Sequence, residues 1–200
     1  MRAGQASPNS LRIHLLLGDA FRGKEDYNEA EQEYRKALQL DPESFAARLG
    51  LATTFFQALK FDDALPELRT ALQLNSKDPE ANYMMGEILV YRHQYEEAFQ
   101  YLTRALNGPP ANLARVHALL GKVYAAQGRT AEAVAELKES LPADSDGSYH
   151  YQLYQLYKKL GDEKAAAAAL EQSENIRREK QAERAARILG TLPSPASVAQ

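Results

Sequence analysis

The sequence repeats itself with a period of about 34 residues. Three segments align closely in the first half of the chain: EAEQEYRKALQLDP, DALPELRTALQLN and EAFQYLTRAL. An alanine marks the same place in every repeat, and these alanines are Ala30, Ala64, Ala98 and, with small slips in spacing, Ala133 and Ala166. A fixed period of this length indicates similar structural units that each pack against their neighbours, which restricts the fold more than any other feature.

The spacing inside each repeat predicts two amphipathic helices. A large residue follows the alanine after four positions and a small one after seven, as Tyr34 and Ala37 follow Ala30. A second pattern of large and small residues, such as Leu17 and Gly18, precedes each alanine. Intervals of three and four residues place side chains on one face of a helix. The small residues allow two helix axes to approach within about 8–10 Å, and stacking of the helix pairs supplies the core.

This pattern resembles the tetratricopeptide repeat, whose 34-residue unit follows W-x2-L-G-x2-Y…A-x3-F…A…P. The resemblance implies an all-α fold, a right-handed superhelical solenoid of about five helix-turn-helix repeats with a C-terminal capping helix. On this register the repeats are 11–44, 45–78, 79–112, 114–147 and 147–180.

The segments outside the repeats have a different composition. Neither glycine nor proline occurs between Asp162 and Leu189, so we expect the last helix to continue through 181–189. Because one face of this helix is only weakly apolar and the rest is strongly charged, we interpret it as a solvated cap rather than an arm that binds a partner. Residues 1–10 and 190–200 are expected to form flexible tails.

Composition excludes several classes of function. The net charge is -3 and no block of five like charges occurs, so we expect no nucleic-acid partner. The chain has no cysteine, which excludes disulfides and thiolate chemistry. Neither a signal peptide nor a run of eighteen apolar residues is present. We therefore expect a soluble chain with no membrane contact in this segment, with the choice between cytoplasm and periplasm left open.

Three histidines share the repeat position at which the family usually has tryptophan: His14, His117 and His150. A metal would need several ligands about 2 Å away, and His14 lies three repeats from His117. We therefore interpret these rings as structural and expect neither a metal nor a cofactor. The sequence also lacks a Gly-rich phosphate loop and a nucleophile–base set, so we expect no enzymatic activity.

The family resemblance implies a ligand-binding groove. In the family, the first helix of each repeat lines a concave face, and positions 2, 5, 9, 12 and 13 point into it. The principal candidate groove residues in this chain are Leu15, Asp19, Leu49, Thr53, Phe56, Tyr83, Glu87, Tyr91, Arg115, Lys122, Tyr151, Gln155 and Lys158. Their character changes from aromatic and acidic in the third repeat, where Glu80 and Glu87 lie, to basic in the last two.

Four of the eleven tyrosines are concentrated in the stretch YHYQLYQLY. On the family register, Tyr154 and Tyr157 occupy packing positions, whereas Tyr151 occupies a groove position and Tyr149 lies near the rim. The sequence therefore predicts that two of these rings stabilise the fold and that Tyr151 is a candidate contact for a ligand.

These patterns together favour a non-catalytic scaffold that holds a peptide or a partner helix in the groove. Its basic end would suit an acidic segment of the ligand. Two alternatives stay open. The chain could be a self-assembling structural module and hence a homo-oligomer, or it could be the regulatory repeat portion of a longer enzyme or of a secretion or assembly protein.

Overall fold

The structure is a computed structural model that describes residues 10–189, without the side chains of residues 110 and 111. The tails predicted at 1–10 and 190–200 lie outside the described residues, except for Ser10. The helices of the described part are α1 (Leu11–Gly23), α2 (Tyr27–Leu40), α3 (Phe45–Gln57), α4 (Phe61–Leu74), α5 (Pro79–Tyr91), α6 (Tyr95–Ala105), α7 (Pro110–Ala126), α8 (Thr130–Ser140), α9 (Ser148–Leu160) and α10 (Glu163–Ile188).

Residues 10–189 contain no β-strand, and a single 3₁₀ turn, Leu141–Ala143, follows α8. The all-α class and the pairing of successive helices into stacked hairpins are therefore confirmed. The chain forms two compact units, Met1–Gly108 and Pro109–Gln200, which we call the N-terminal unit and the C-terminal unit. No helix in the described part of either unit is long and apolar enough to cross a membrane.

Three hairpins form the N-terminal unit: α1–α2, α3–α4 and α5–α6. The repeat alanines Ala30, Ala64 and Ala98 are fully buried, because two helices approach each other closely at these points. The ring of Tyr34, only 1% exposed, fills the space beside two glycines of neighbouring first helices. A Cβ atom on Gly18 would lie 2.8 Å from this ring, and one on Gly50 would lie 2.5 Å from its Cζ atom. These positions are therefore small because a buried ring needs the space.

The C-terminal unit contains the hairpins α7–α8 and α9–α10. Part of its core is a cluster of buried aliphatic side chains from α8, α9 and α10, namely Ala133, Val134, Leu137, Leu153, Leu156 and Ala169. Helix α7 adds the buried residues Val116, Leu120 and Val123. Tyr149, Tyr154 and Tyr157 are half-buried against this cluster. Three of the four concentrated tyrosines therefore contribute to packing, and Tyr149 does so from the position expected near the rim.

Two local features fix the ends of helices in the C-terminal unit. Helix α7 begins at Pro110, four residues before the predicted repeat boundary at 114, because the first helical position needs no N–H donor. Gly147 precedes α9 with a φ of +75°, in the left-handed region that glycine adopts most readily. The Ser173 hydroxyl of α10 donates a 2.6 Å hydrogen bond to the Gly147 carbonyl oxygen. This bond ties the start of α9 to the middle of α10.

Each turn between the two helices of a hairpin contains one residue with positive φ. In the C-terminal unit this residue is Gly128 or Gly161. In the N-terminal unit it is Glu25, Leu59 or His93, with φ values of 64°, 57° and 60°. The backbone of the turn is thus the same in all the hairpins although the residue type is not.

Candidate functional site

Four aromatic rings of the N-terminal unit form a connected group, which we call the aromatic cluster. Phe56 lies at the end of α3, with its ring centroid 5.8 Å from that of Phe61 and 6.3 Å from that of Tyr83. The ring of Tyr91 meets that of Phe61 edge to face at 5.2 Å. Such arrangements are favourable for aromatic pairs. The cluster therefore joins three predicted groove residues through a fourth ring.

Phe61 is the one member of the aromatic cluster that does not occupy a predicted groove position. It opens α4, a second helix, whereas the candidate groove residues were taken only from first helices. A signal was present in the sequence, because Tyr27, Phe61 and Tyr95 occupy the same position in three successive repeats. An aromatic residue at the first position of a second helix faces the end of the preceding first helix. Of these three residues, Phe61 belongs among the candidates for ligand contact, because its ring packs against those of Phe56 and Tyr91.

The aromatic cluster is accessible at one end. Tyr91 is 71% exposed, although its ring is held by Phe61, while Phe56, Phe61 and Tyr83 are half-buried. An exposed ring that is already fixed by a neighbour loses little conformational entropy when a ligand packs against it. Aromatic side chains of this kind supply much of the affinity at protein interfaces. The cluster therefore has the properties expected of an apolar anchor site.

A polar group in the same unit surrounds the hydroxyl of Tyr34. This hydroxyl donates a 2.7 Å hydrogen bond to Asp19 Oδ1 and accepts one from Arg22 Nε at 3.4 Å. Arg22 also donates through Nη2 to Asp19 Oδ1 at 3.1 Å. The predicted groove residue Asp19 is therefore oriented by a buried ring and partly neutralised by a cation, which reduces the acidic character expected at this position.

Burial of Tyr34 predicts a loss of stability in alkaline solution. Desolvation, followed by the hydrogen bond to Asp19, raises the pKa of Tyr34 from 10.0 to about 12. The folded state thus favours the neutral phenol, so the resulting stability is fully present below pH 10 and is lost as the pH rises towards 12. We expect the free energy of unfolding to fall by up to ~3 kcal/mol over this range, measured by urea unfolding. Tyr34→Phe should remove the part of this fall that comes from ionisation of Tyr34. An identical pH profile for both proteins would contradict the assignment to Tyr34.

Two glutamates of α5, Glu80 and Glu87, add negative charge to the N-terminal unit. Glu80 is exposed, yet partial desolvation by the surrounding protein raises the pKa of its carboxyl group, and the charge of Arg22 acts in the opposite direction. Glu87 is half-buried, and its Oε2 atom is buried without a hydrogen-bond partner among the described residues. A carboxylate oxygen in this situation favours a ligand that brings a donor.

The other candidates of the N-terminal unit differ in accessibility. Leu15 and Leu49 are half-buried, so part of each side chain is available at the surface. Thr53 is 6% exposed, and its hydroxyl donates a 2.8 Å hydrogen bond to the Leu49 carbonyl oxygen of the preceding turn. In this conformation Thr53 supports α3 from inside rather than facing a ligand.

In the C-terminal unit, Arg115, Lys122 and Gln155 are exposed. Lys158 is exposed as well, but its ammonium group donates to both carboxylate oxygens of Glu163, at 2.7 and 2.8 Å, across the turn between α9 and α10. Its charge is therefore already matched, which weakens the expectation that it contacts an acidic ligand.

Tyr151 is 37% exposed and lies between two neighbours. Its ring centroid is 5.7 Å from that of Tyr154. The guanidinium carbon of Arg177, on α10, is 5.3 Å from the same ring, within the range of a cation–π interaction. The C-terminal helix therefore contacts a predicted groove residue, a contact that the repeat pattern does not predict.

The three histidines at the tryptophan position are paired with carboxylates. In three hairpins, a basic side chain of the first helix pairs with a glutamate of the second helix, at the same separation along the chain. These pairs are His14–Glu33, Arg48–Glu67 and His117–Glu136, with N–O distances of 2.6, 2.7 and 2.7 Å. The Nδ1 atom of His150 instead lies 2.6 Å from Asp144. Lys36 and then His14 lower the pKa of Glu33. In residues 10–189, no three His, Asp or Glu side chains converge to hold a metal.

Repeated helix hairpins with small residues at the helix crossings define a stacked helical repeat protein. Two family models described as tetratricopeptide repeat match the chain, one at residues 3–45 and 15–79 and the other at 55–123 and 89–157. The chain therefore belongs to the tetratricopeptide repeat family. The matched residues end at 157, so α10 lies beyond them. A comparison with curated protein sequences found no match.

Solved structures with the same fold include two of 26% identity. Pseudomonas aeruginosa PilF aligns over 82% of this chain and 75% of its own, with a TM-score of 0.69. PilW, described as a type IV pilus biogenesis factor, aligns over 83% and 77%, with a TM-score of 0.67. YrrB, described as having an unusual peptide-binding site, is 20% identical over 90% and 93%, with a TM-score of 0.73. The likeness to YrrB shows the fold alone.

Proposed function

We propose that this protein is a non-catalytic scaffold that binds a peptide or a partner helix on the N-terminal unit. The observation that carries the proposal is the aromatic cluster, in which Tyr91 is fixed by Phe61 and yet 71% exposed. Membership of the tetratricopeptide repeat family supports a general role in protein interaction. The ligand would place an apolar side chain on the cluster.

The negative charges of α5 favour particular residue types in the ligand. Glu80 and Glu87 lie on the same helix as Tyr83 and Tyr91, so a basic or hydrogen-bond-donating residue next to the apolar anchor would be favoured there. The buried oxygen of Glu87 would gain most from such a donor, since it has no partner among the described residues. We therefore expect the recognised motif to combine an aromatic or aliphatic residue with a lysine or arginine.

The Tyr83→Ala/Tyr91→Ala variant tests the proposal. We expect it to bind peptides selected by display on the 200-residue chain at least tenfold more weakly, because two anchor rings are lost. Fluorescence anisotropy measures the affinity, and circular dichroism checks that the helices remain. Tyr27→Ala/Tyr101→Ala is the matched control, since it removes two half-buried tyrosines of the same unit outside the aromatic cluster. Equal affinities of both variants would refute this location of the site.

The likeness to PilW supports a narrower proposal, in which the scaffold serves type IV pilus biogenesis. The same display experiment can address it with tiled fragments of type IV pilus proteins and a size-matched set of unrelated proteins from the same compartments. Enrichment of pilus fragments that depends on Tyr83 and Tyr91 is the expected result. Enrichment confined to the unrelated set would contradict the narrower proposal and leave the general one standing.

A further inference from the structure

The C-terminal half of α10 projects beyond the helix that it packs against. Ser173 is fully buried and bonded to Gly147, the residue just before α9. After Ser173, no residue of α10 is buried. Residues 174–188 amount to about 22 Å of helix at about 1.5 Å per residue. This segment, which we call the α10 extension, therefore stabilises the packed core very little.

Three cations follow one face of the α10 extension. Arg177, Lys180 and Arg184 are spaced at i, i+3 and i+7, so they lie on the same side of the helix. Together with Gln181 and with Asp146, from the loop before α9, they line an open cavity of about 260 Å³. We call these three residues the basic stripe.

The basic stripe gains no neutralising ion pair from the carboxylates of its own helix. Arg178 donates to Asn175 Oδ1, and Arg187 lies 3.9 Å from Glu183. None of the stripe cations forms an ion pair with a carboxylate of the described residues, and the same is true of Lys164 and Arg178 on this helix. Charged helix faces exposed to water are commonly laced with such pairs. What distinguishes the stripe from the other cations of α10 is that its three members line one cavity.

Asp146, the acidic residue that lines this cavity, already accepts a hydrogen bond. Asp146 Oδ1 accepts a 2.9 Å hydrogen bond from the Ser148 backbone N–H. The hydrogen bonds from Ser148 lower the pKa of Asp146, and the charges of Lys180 and Arg177 lower it further. One carboxylate thus faces three cations, which leaves an excess of positive charge. Glu179 and Glu183 border a different cavity of the helix.

Tyr151, on α9, contacts the first cation of the basic stripe. Its partly exposed ring carries the guanidinium of Arg177, so the aromatic surface of α9 continues into the basic stripe of α10. A ligand lying along the stripe would meet Arg177 and the Tyr151 ring at one end and Lys180 and Arg184 along the rest. This arrangement suits an extended or helical segment with several carboxylates rather than a small ion.

We propose that the basic stripe of α10, together with Tyr151, is a second binding site of this protein that takes an acidic polypeptide segment. Carboxylates of the segment, spaced by one and two helical turns, would pair with Arg177, Lys180 and Arg184. The site lies in the C-terminal unit and uses neither Tyr83 nor Tyr91, so it stands independently of the function proposed for the N-terminal unit.

The test uses the full chain and a fluorescein-labelled, alanine-rich helical peptide with glutamates at i, i+4 and i+7. We expect Lys180→Glu/Arg184→Glu to weaken its binding at least tenfold in fluorescence anisotropy at low salt, and added NaCl to weaken binding to the wild type. Lys164→Glu/Arg178→Glu is the matched control, because it makes the same charge change on exposed positions of α10 outside the stripe. This control should change the affinity less than twofold.

Several results would overturn the proposal. They are equal losses in the two variants, equal binding of a peptide with glutamine in place of glutamate, and no binding to the wild type. Vesicles of phosphatidylserine and phosphatidylcholine identify a membrane surface as the occupant if they alone depend on the stripe. Sedimentation equilibrium identifies a second copy if only self-association depends on it. The Tyr83→Ala/Tyr91→Ala variant should keep its affinity for the acidic peptide, so failure of one site is distinguishable from failure of the other.

Discussion

Gly147→Ala is expected to lower the free energy of unfolding by about 2–5 kcal/mol. An alanine at a φ of +75° costs about 1–2 kcal/mol, because its Cβ crowds the neighbouring carbonyl oxygen. In addition, this Cβ would lie 2.5 Å from the Ser173 backbone oxygen and 3.1 Å from Ser173 Cα. Neither atom can move aside without bending α10, and overpacking of this kind costs about 1–3 kcal/mol more.

Urea unfolding followed by circular dichroism measures this loss, and hydrogen exchange locates it. We expect protection to fall first in α9 and α10, the two helices that meet at Gly147. Gly161→Ala is the matched control, because Gly161 has a φ of +74° but no atom within 4 Å of the added Cβ. The difference between the two variants isolates the clash with Ser173. Equal losses of stability in the two variants would show that α10 moves aside at no cost, and the clash with Ser173 would then be the wrong explanation.

Tyr34→Ala is expected to destabilise the N-terminal unit by about 3–5 kcal/mol. The variant empties the space beside Gly18 and Gly50, and large-to-small changes of buried aromatic residues cost this much. It also removes the hydroxyl that orients Asp19. Chemical denaturation of the two proteins at neutral pH gives the difference directly.

A double-mutant cycle checks the cause. Gly50→Ala alone should destabilise by about 1–3 kcal/mol, since its Cβ would meet the Tyr34 ring. In the Tyr34→Ala background the same change should be neutral or stabilising, because alanine is a better helix former than glycine by about 1 kcal/mol. Gly23→Ala, with no atom within 4 Å, should behave alike in both backgrounds. Strictly additive effects of Tyr34→Ala and Gly50→Ala would contradict direct contact.

Periodicity was enough to predict the helices and their pairing. The alanine series and the large residues around it depend only on spacing along a helix, so Ala30, Ala64 and Ala98 appear where expected, at zero exposure. Helix α7 starts at Pro110 rather than at the predicted repeat boundary of 114, because a proline that can end one helix can equally begin the next.

Contacts between helices were harder to predict. Phe61 joins Phe56 and Tyr91 only because a turn at Leu59 brings the start of α4 beside the end of α3. The stacking of Arg177 on Tyr151 depends likewise on the direction in which α10 runs along α9. Such distances follow from hairpin geometry, whereas helical spacing reports only which residues share a face. The accessibility of the candidate groove residues could therefore not be predicted from the sequence.

The pairing of His14 with Glu33 is an intermediate case. The same separation along the chain recurs between Arg48 and Glu67. A search for complementary charges at a constant separation would have found it, because the hairpins share one geometry. Pairs that recur at equivalent positions in several hairpins are thus predictable once the period is known, while contacts that occur in only one hairpin are not.

The hairpin turns differ in residue type although their backbones agree. Glycine adopts positive φ at no steric cost, but Glu25, Leu59 and His93 must hold it against their own Cβ atoms. The N-terminal unit therefore retains backbone strain at three turns, whereas Gly128 and Gly161 relieve it in the C-terminal unit. Glycine at any of these three turns would relieve the strain and raise the free energy of unfolding, and none of the three residues belongs to the aromatic cluster or to the basic stripe.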